Sequence, residues 1–512
     1  MPGRLAGAAA GAVAALALSA PAAAAPPPTI PALRHWRGAE GSFALRPSSR
    51  IVLPAGPGRP PTSEAAVLAG DLERVTGRRP RVMSGAGAIA HPGDVVLRLG
   101  SRDRRLGREG YSLEVGAEVA IEARTAAGVF YGAQTVLQLL RQGRSIPAGR
   151  GRDWPRYPER GLMIDAGRRY YSPGWIRREL RELAYLKLNE LHLHLSDDQG
   201  FRIESDTHPE IVSRRHLTKS QVRGIVRFAR RRHVHVVPEI DMPGHLRAAL
   251  TAHPELQLRD AGGVRRADKL DVTLPAARRF ARDLILEYMR LFGGHSWHAG
   301  ADEYLAPTQY DGFPQLQSDA RARYGAAANG ADAYLGFVNW IDALVRAHGR
   351  GLRVWHDGLS GGSAVRVRRD VVVDWWSPHA GPGPRQLLAS GHRILNAGWF
   401  PTYYVVGPLG SVRPSMRLAY ESWRVNHFSA LGVNVAAPLG PPVTVPAGEP
   451  RNLGSELHVW NDDPSRESVA ATARGILPRL RVLAQKTWDT RLPARRYSGF
   501  LRLARRVGRA PR

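Results

Sequence analysis

Two adjacent carboxylates, Asp302 and Glu303, end the run Trp297-His298-Ala299-Gly300-Ala301-Asp302-Glu303. On a helix surface such a pair is only solvated. Here Gly300 and Ala301 precede it at the end of a strand-like run. Neighbouring acids at a strand end can divide the work, one delivering a proton and the other orienting a partner. Polar residues close other strand-like runs in the same way. Asp165 and Arg168 follow one, and Asp197 and Asp198 follow His192-Leu193-His194. His245 ends the segment that begins at Pro238, and Trp355, Trp375-Trp376 and Trp460 close later runs, the last followed by Asp462. Carboxylates, one arginine and several tryptophans around one rim describe a carbohydrate pocket, because indole stacks on sugar C–H faces while carboxylates and guanidinium pair with hydroxyls. Singly, each residue has a plainer reading: a strand-end Trp packs a core, Asp-Asp caps a helix, and His192 and His194 are satisfied core groups. His-x-His with His245 or Asp197 would also suit zinc. A metal reading leaves the acid pair and the tryptophan rim without a task, so no metal and no cofactor is assigned.

These residues need elements that bring strand ends to one mouth. From residue 151 onward, strand-like and helix-like runs alternate, the pattern of parallel βαβ units. Eight runs are expected as strands: Gly161–Asp165, Glu190–His194, Val234–Pro238, Trp297–Gly300, Leu352–Trp355, Val371–Trp375, Arg393–Asn396 and Leu457–Trp460. Helical spacing is clearest over Trp175–Tyr185, Ser220–Arg231, Leu274–Leu291 and Ala333–Ala347. The expected fold class is α/β, a closed (β/α)₈ TIM barrel whose site lies at the C-terminal strand ends. A doubly wound sheet would want a Gly-rich turn after its first strand, and Asp165-Ala166-Gly167-Arg168 offers one glycine. The barrel is preceded by a small α+β domain over 26–150. Its expected strands are Ser49–Leu53, Asp94–Leu99, Tyr111–Val115 and Val119–Ala123, its helices Ser63–Thr76 and Gly128–Leu140, with a junction at Gly143–Gly151. A long Pro/Gly-rich segment, Gly407–Glu456, is expected over the mouth.

Length and composition bound the reading. The chain has 512 residues and no cysteine, so disulfides and thiolate metal sites are excluded and size must supply the core. Residues 1–25 read as a secretory signal: Arg4, an apolar run Leu5–Leu18 too short to span a bilayer, then small-residue cleavage sites. No second run is long enough to span a membrane, so a secreted, extracellular protein is expected. The net charge of +28 rests on arginine, with Lys187, Lys219, Lys269 and Lys486 the only lysines. Coding bias is the plain explanation and attraction to an anionic cell wall the sharper one. The arginines are spread out, without a basic helix or interleaved aromatics, so no nucleic-acid partner is expected.

Over the whole barrel segment the chain resembles glycoside hydrolase family 20, the β-N-acetylhexosaminidases. The likeness is carried by Arg160–Asp165 with Arg168, Lys187-Leu188-Asn189 through Arg202, Pro238 to His245, and His298 to Glu303. In the small domain it is carried by Glu109-Gly110-Tyr111 and Gly128-Val129-Phe130-Tyr131-Gly132. The resemblance implies a retaining mechanism in which the substrate's own 2-acetamido oxygen is the nucleophile. It implies Glu303 as acid/base, with a raised pKa, and Asp302 as the group that orients the acetamide and steadies its charge. Asp197, His245 and His298 would support the acid. Arg168 and Asp462 would hold sugar hydroxyls, Trp355, Trp376 and Trp460 would wall the ring, and Tyr404, favoured over Tyr403, would donate to the acetamide oxygen. The partner implied is an N-acetylhexosamine-containing oligosaccharide or glycan.

Two positions depart from the family's pattern. Ala301 replaces the second glycine of His-x-Gly-Gly-Asp-Glu, and Asp462 stands where glutamate is usual. Both resemble the lacto-N-biosidase branch. Release of terminal N-acetylglucosamine or N-acetylgalactosamine is the leading expectation. The alternatives are a lacto-N-biosidase-like or poly-N-acetylglucosamine hydrolase, and a non-catalytic carbohydrate-binding protein.

Overall fold

The structure, a computed structural model, describes residues 25–511 apart from 57, 144, 409–412 and 432–440. The signal expected over 1–25 therefore lies outside the described residues but for Ala25. Among the described residues no helix is long and apolar enough to cross a membrane.

The first domain is a seven-stranded mixed sheet of His35–Ala44, Arg50–Pro54, Arg81–Gly85, Val95–Leu99, Tyr111–Val115, Val119–Ala123 and Ser145–Asp153. Its helices, Thr62–Thr76 and Ala126–Gln142, pack on one another, and the second covers the sheet. Ser145–Asp153 occupies the stretch expected to be a junction and pairs antiparallel with both His35–Ala44 and Tyr111–Val115. Its burial alternates, but the inward positions are Ile146, Ala148, Gly149, Gly151 and Asp153. An alternation carried by such small residues leaves little hydrophobic period to read. The motif residues of this domain form the joint to the barrel. Glu109 pairs with Arg160 at 2.8 Å and accepts from Asn189 at 2.9 Å, and buried Lys187 reaches Asp153 at 3.0 Å and Tyr111 at 2.7 Å.

The second domain is the expected barrel. Its eight parallel strands are Glu159–Asp165, Glu190–His194, His235–Glu239, Ser296–His298, Gly351–Trp355, Val372–Trp375, Arg393–Asn396 and Asn452–Trp460, and the last pairs with both the seventh and the first. Helices Pro173–Tyr185, Lys219–Arg230, Pro275–Phe292 and Gly330–Ala347 fall where the 3.6-residue spacing puts them. Their starts are capped by Ser172, Thr218 and Asn329, with Pro275 opening the third. The closing strand is longer than expected, because its first half, Asn452-Leu453-Gly454-Ser455-Glu456, is polar and small yet wholly buried. Gly454 sits where that strand meets the first: a Cβ there would lie 1.9 Å from the Glu159 carbonyl oxygen. Gly454→Ala should therefore cost about 3 kcal/mol of stability, read as a lower urea midpoint, whereas a neutral result would mean that the seam is loose.

Beneath the mouth the barrel interior is charged rather than filled with branched aliphatics. Arg353, 2 % exposed, lies 3.1 Å from Glu190, 3.2 Å from Glu159 and 3.2 Å from Asp374. One layer higher, His192 bridges Glu239 and Glu456, both at 3.0 Å. Buried charges of this kind are tolerated because each has an opposite partner at hydrogen-bond distance.

Candidate active site

The C-terminal strand ends surround a cavity of about 630 Å³. Arg168, Asp197, His245, Asp302, Glu303, Trp355, Trp376, Trp460 and Asp462, all expected from the sequence, line it together. They come from seven different strand ends, so barrel closure alone converges them.

The acid loop is held in a strained shape. Ala301 and Glu303 have φ of +69° and +49°, and His245 opposite has +52°. Non-glycine residues in this region cost of order 1 kcal/mol each and persist where surrounding bonds hold them. Those bonds are visible. The Ala301 amide donates to Asp241 at 3.2 Å, the Glu303 amide donates to Asp357 at 2.8 Å, and Lys269 donates to the Glu303 carbonyl. Gly300, φ +68°, admits no side chain, since a Cβ would meet the Asp241 carboxylate at 1.8 Å.

Charge is handed toward Glu303 along one chain of groups. Glu239 accepts from the Trp355 indole at 2.9 Å and from His194 at 2.7 Å. His194 reaches Asp197 at 2.9 Å, and Asp197 also takes Arg168 at 2.9 Å. Asp197 lies 3.7 Å from His245, whose other nitrogen is 3.4 Å from Glu303 and 3.6 Å from Asp302. Against the cost of burial, these carboxylates hold His194 and His245 well above the usual imidazole range, and His194, Arg168 and His245 hold Asp197 well below the carboxylate range. Arg168 is fixed from below by Asp165 at 3.2 Å and lies 5.3 Å over the Trp460 ring, so its planar fork has one orientation.

The acid pair itself reverses one expectation. Glu303 was expected to be pushed up. Instead, the His245 imidazole 3.4 Å away holds it below the ordinary value, against the cost of partial burial. The neighbour is the perturbed acid: burial and the charge of Glu303 raise Asp302. Asp302 Oδ1 is buried with no hydrogen-bond partner, while the carboxylate as a whole stays partly open and lines the cavity. Asp241 is raised well above its usual range by burial and Asp302, and Asp357 is pushed up to about 7 by the same two causes.

Two expected site residues lie elsewhere. Tyr404 points out of the barrel, donating to Glu467 at 2.6 Å under the Arg413 guanidinium. The short strand Tyr403–Val405 lies along the outer half of the closing strand, and its two-residue period turns Tyr403 and Val405 into the cavity and Tyr404 away. The tyrosine facing the site is therefore Tyr403. His298 does not support the acid directly. It lies in the floor, 3.3 Å from Glu239 and 3.5 Å from Asp374, and its Nδ1 accepts from the Gly300 amide at 3.0 Å. It shapes the turn that carries the pair. Trp399, Asp241 and Asp357 were not singled out. Asp357 follows Trp355 by two residues at a strand end, the position rule that found the other acids, and it also accepts from the Trp376 indole at 2.9 Å.

A closed βα barrel with an acid pair, an arginine fork and a tryptophan wall at its C-terminal mouth defines a sugar-processing barrel of the glycosidase class. Residues 157–491 match the model of the glycosyl hydrolase family 20 catalytic domain, and residues 26–154 match that of the family's domain 2. The chain belongs to glycosyl hydrolase family 20. A lacto-N-biosidase of Bifidobacterium bifidum is 30% identical over 470 residues, covering 91% of this chain, which spans 40% of that relative's length. A beta-N-acetylhexosaminidase of Cellulomonas fimi is 29% identical over 461 residues, 82% of each chain. The solved family 20 β-N-acetylhexosaminidase of Streptomyces coelicolor superposes with a TM-score of 0.72 at 26% identity, covering 94% of this chain and 95% of that one.

Proposed function

We propose that the protein is a secreted, retaining exo-glycosidase that removes terminal β-linked N-acetylglucosamine or N-acetylgalactosamine, with the substrate's acetamide oxygen as nucleophile. The observation that carries this reading is the Asp302 carboxylate, partly open to the cavity beside Glu303. It offers an acceptor for an acetamide N–H, and the Tyr403 hydroxyl in the same cavity, protonated because burial raises it, offers a donor for the acetamide oxygen. Asp241 and Asp357 are poor candidates for an attacking carboxylate. Both are tied to amides of the acid loop and both are held toward the neutral form.

In the first step Glu303 protonates the leaving glycosidic oxygen while the acetamide oxygen closes on the anomeric carbon. The product is an oxazolinium ion, with Asp302 taking the N–H. In the second, Glu303 removes a proton from water, which opens the ring with overall retention. The proton for the first step is held by the His245–Glu303 pair, in the free enzyme on His245. It is lost as pH rises through the raised His245 value, so kcat/KM should stay high across neutrality and fall only well above pH 6.5. In His245→Gln the carboxyl titrates alone, and the alkaline limb of kcat/KM should move acidward by about one unit or more. A limb that does not move would remove His245 from this role.

The tyrosine assignment has its own test. Tyr403→Phe should lower kcat about 10²-fold on an aryl N-acetylglucosaminide, the usual loss for one positioned donor, while Tyr404→Phe leaves it unchanged. The opposite pattern would restore Tyr404.

A second reading keeps this chemistry and changes the product. The 30% identity to a lacto-N-biosidase across 91% of this chain favours release of a disaccharide. Product sizes from an oligosaccharide digest separate the two: monosaccharide alone excludes the second reading. Secretion rests on the N-terminal sequence, and a mature N-terminus near residue 26 in culture supernatant, read by mass spectrometry, would test it.

A further inference from the structure

The tripeptide His-Pro-Glu occurs at 208–210 and again at 253–255. Each copy opens a 3₁₀ turn, Pro209–Ile211 and Pro254–Leu256, and the two histidines share one backbone shape, φ −139°, ψ 65° and φ −130°, ψ 60°. The turns lie in the loops after the second and third barrel strands, and the fold sets them face to face. The two imidazoles stand perpendicular, 5.7 Å apart, on a common floor: the Phe280 ring is 4.6 Å from His208 and 5.3 Å from His253. His208 Nδ1 and His253 Nε2 converge on one oxygen, Glu210 Oε1, at 3.0 and 2.8 Å.

We propose that His208, Glu210 and His253 bind a divalent transition cation of the zinc class. Each close nitrogen–carboxylate contact needs positive charge between the atoms. Two protons can supply it, and so can one divalent ion held by three donors that all lie within 4.8 Å of one another. The His253 tautomer suits the ion. Glu255 lies 3.3 Å from His253 Nδ1, so that nitrogen donates to the carboxylate and Nε2 is left with its lone pair. A carboxylate behind a metal-binding imidazole is the usual outer support of such sites. His208 would bind through Nδ1 and carry its proton on Nε2, which is buried without a hydrogen-bond partner. The loop is braced before any ion arrives. The His208 amide donates to Ser205 at 3.0 Å, and Ser205 donates to Glu287 at 2.9 Å. Glu210 is 41 % exposed, which leaves an entry path and room for a water as fourth ligand. An ion here would clip together the two loops that carry Asp197 and His245, outside the sugar cavity.

The test is calorimetric titration of zinc chloride into the chelator-treated full chain, with thermal melting alongside. One equivalent should bind and raise Tm by mass action. His208→Ala and His253→Ala should each weaken binding at least about 100-fold and abolish the Tm shift while melting like the parent in chelator. Glu255→Gln should weaken it about 10-fold through the outer support. If an alanine variant does not fold, His253→Gln takes its place. Absence of binding would overturn the proposal and leave a hydrogen-bonded staple only. Zinc affinity unchanged by these substitutions would overturn it equally, by moving the metal elsewhere.

Discussion

Glu303→Gln should abolish most turnover: about 10³-fold or more on oligosaccharides, within the range that a positioned general acid contributes. The amide cannot give a proton to the leaving oxygen and cannot take one from water, so both steps lose their catalyst. The loss should be smaller on a nitrophenyl glycoside, whose leaving group needs little protonation, and the ratio of the two losses reports acid catalysis. The fold should not suffer, since the Glu303 side chain is half exposed and the loop is held through its backbone by Asp357 and Lys269. Equal losses on both substrates, or full activity, would remove Glu303 from the acid role. They would also revive the reading of a sugar-binding protein.

Asp302→Asn should cost about 10²–10³-fold in kcat on every substrate, whatever its leaving group. An asparagine of the same shape can present its NH₂ where the acetamide N–H needs an acceptor, and it carries no charge to steady the oxazolinium ion. Stability should move the other way. The fold raises Asp302, so its ionised form opposes folding above that raised value and its neutral form does not. The amide removes that charge, and Tm at neutral pH should hold or rise. A fall in activity together with a fall in Tm would mean that Asp302 is structural.

The architecture was legible because the barrel repeats one signal eight times. All eight strands and the four clearest helices lie where spacing and caps put them, with ends displaced by a few residues. What was hidden depended on groups with little pattern of their own. Ser145–Asp153 alternates through glycine and alanine, and the closing strand begins in small polar residues. Site residues at strand ends were readable by position. Tyr403 was not, because choosing between adjacent tyrosines needs the register against the closing strand, Tyr403 beside His458 and Val405 beside Trp460. The direction of the Glu303 pKa was out of reach for the same kind of reason: it turns on a 3.4 Å approach by His245 from another loop.

Ala301 stands in the acid loop where the resemblance to the family leads one to expect glycine. Its methyl is fully buried and is not among the groups lining the cavity, while its φ of +69° costs what a glycine would not. The change therefore strains the acid loop by about 1 kcal/mol without narrowing the pocket.

The proposed role of Asp302 and Glu303 is to serve a nucleophile carried by the substrate. It is tested most directly by turnover of 4-nitrophenyl N-acylglucosaminides whose acyl methyl is replaced stepwise by mono-, di- and trifluoromethyl. Each fluorine drains electron density from the attacking carbonyl oxygen, so kcat/KM should fall steeply and steadily along the series. A flat series would mean that an enzyme carboxylate attacks the sugar, and would exclude the acetamide as nucleophile.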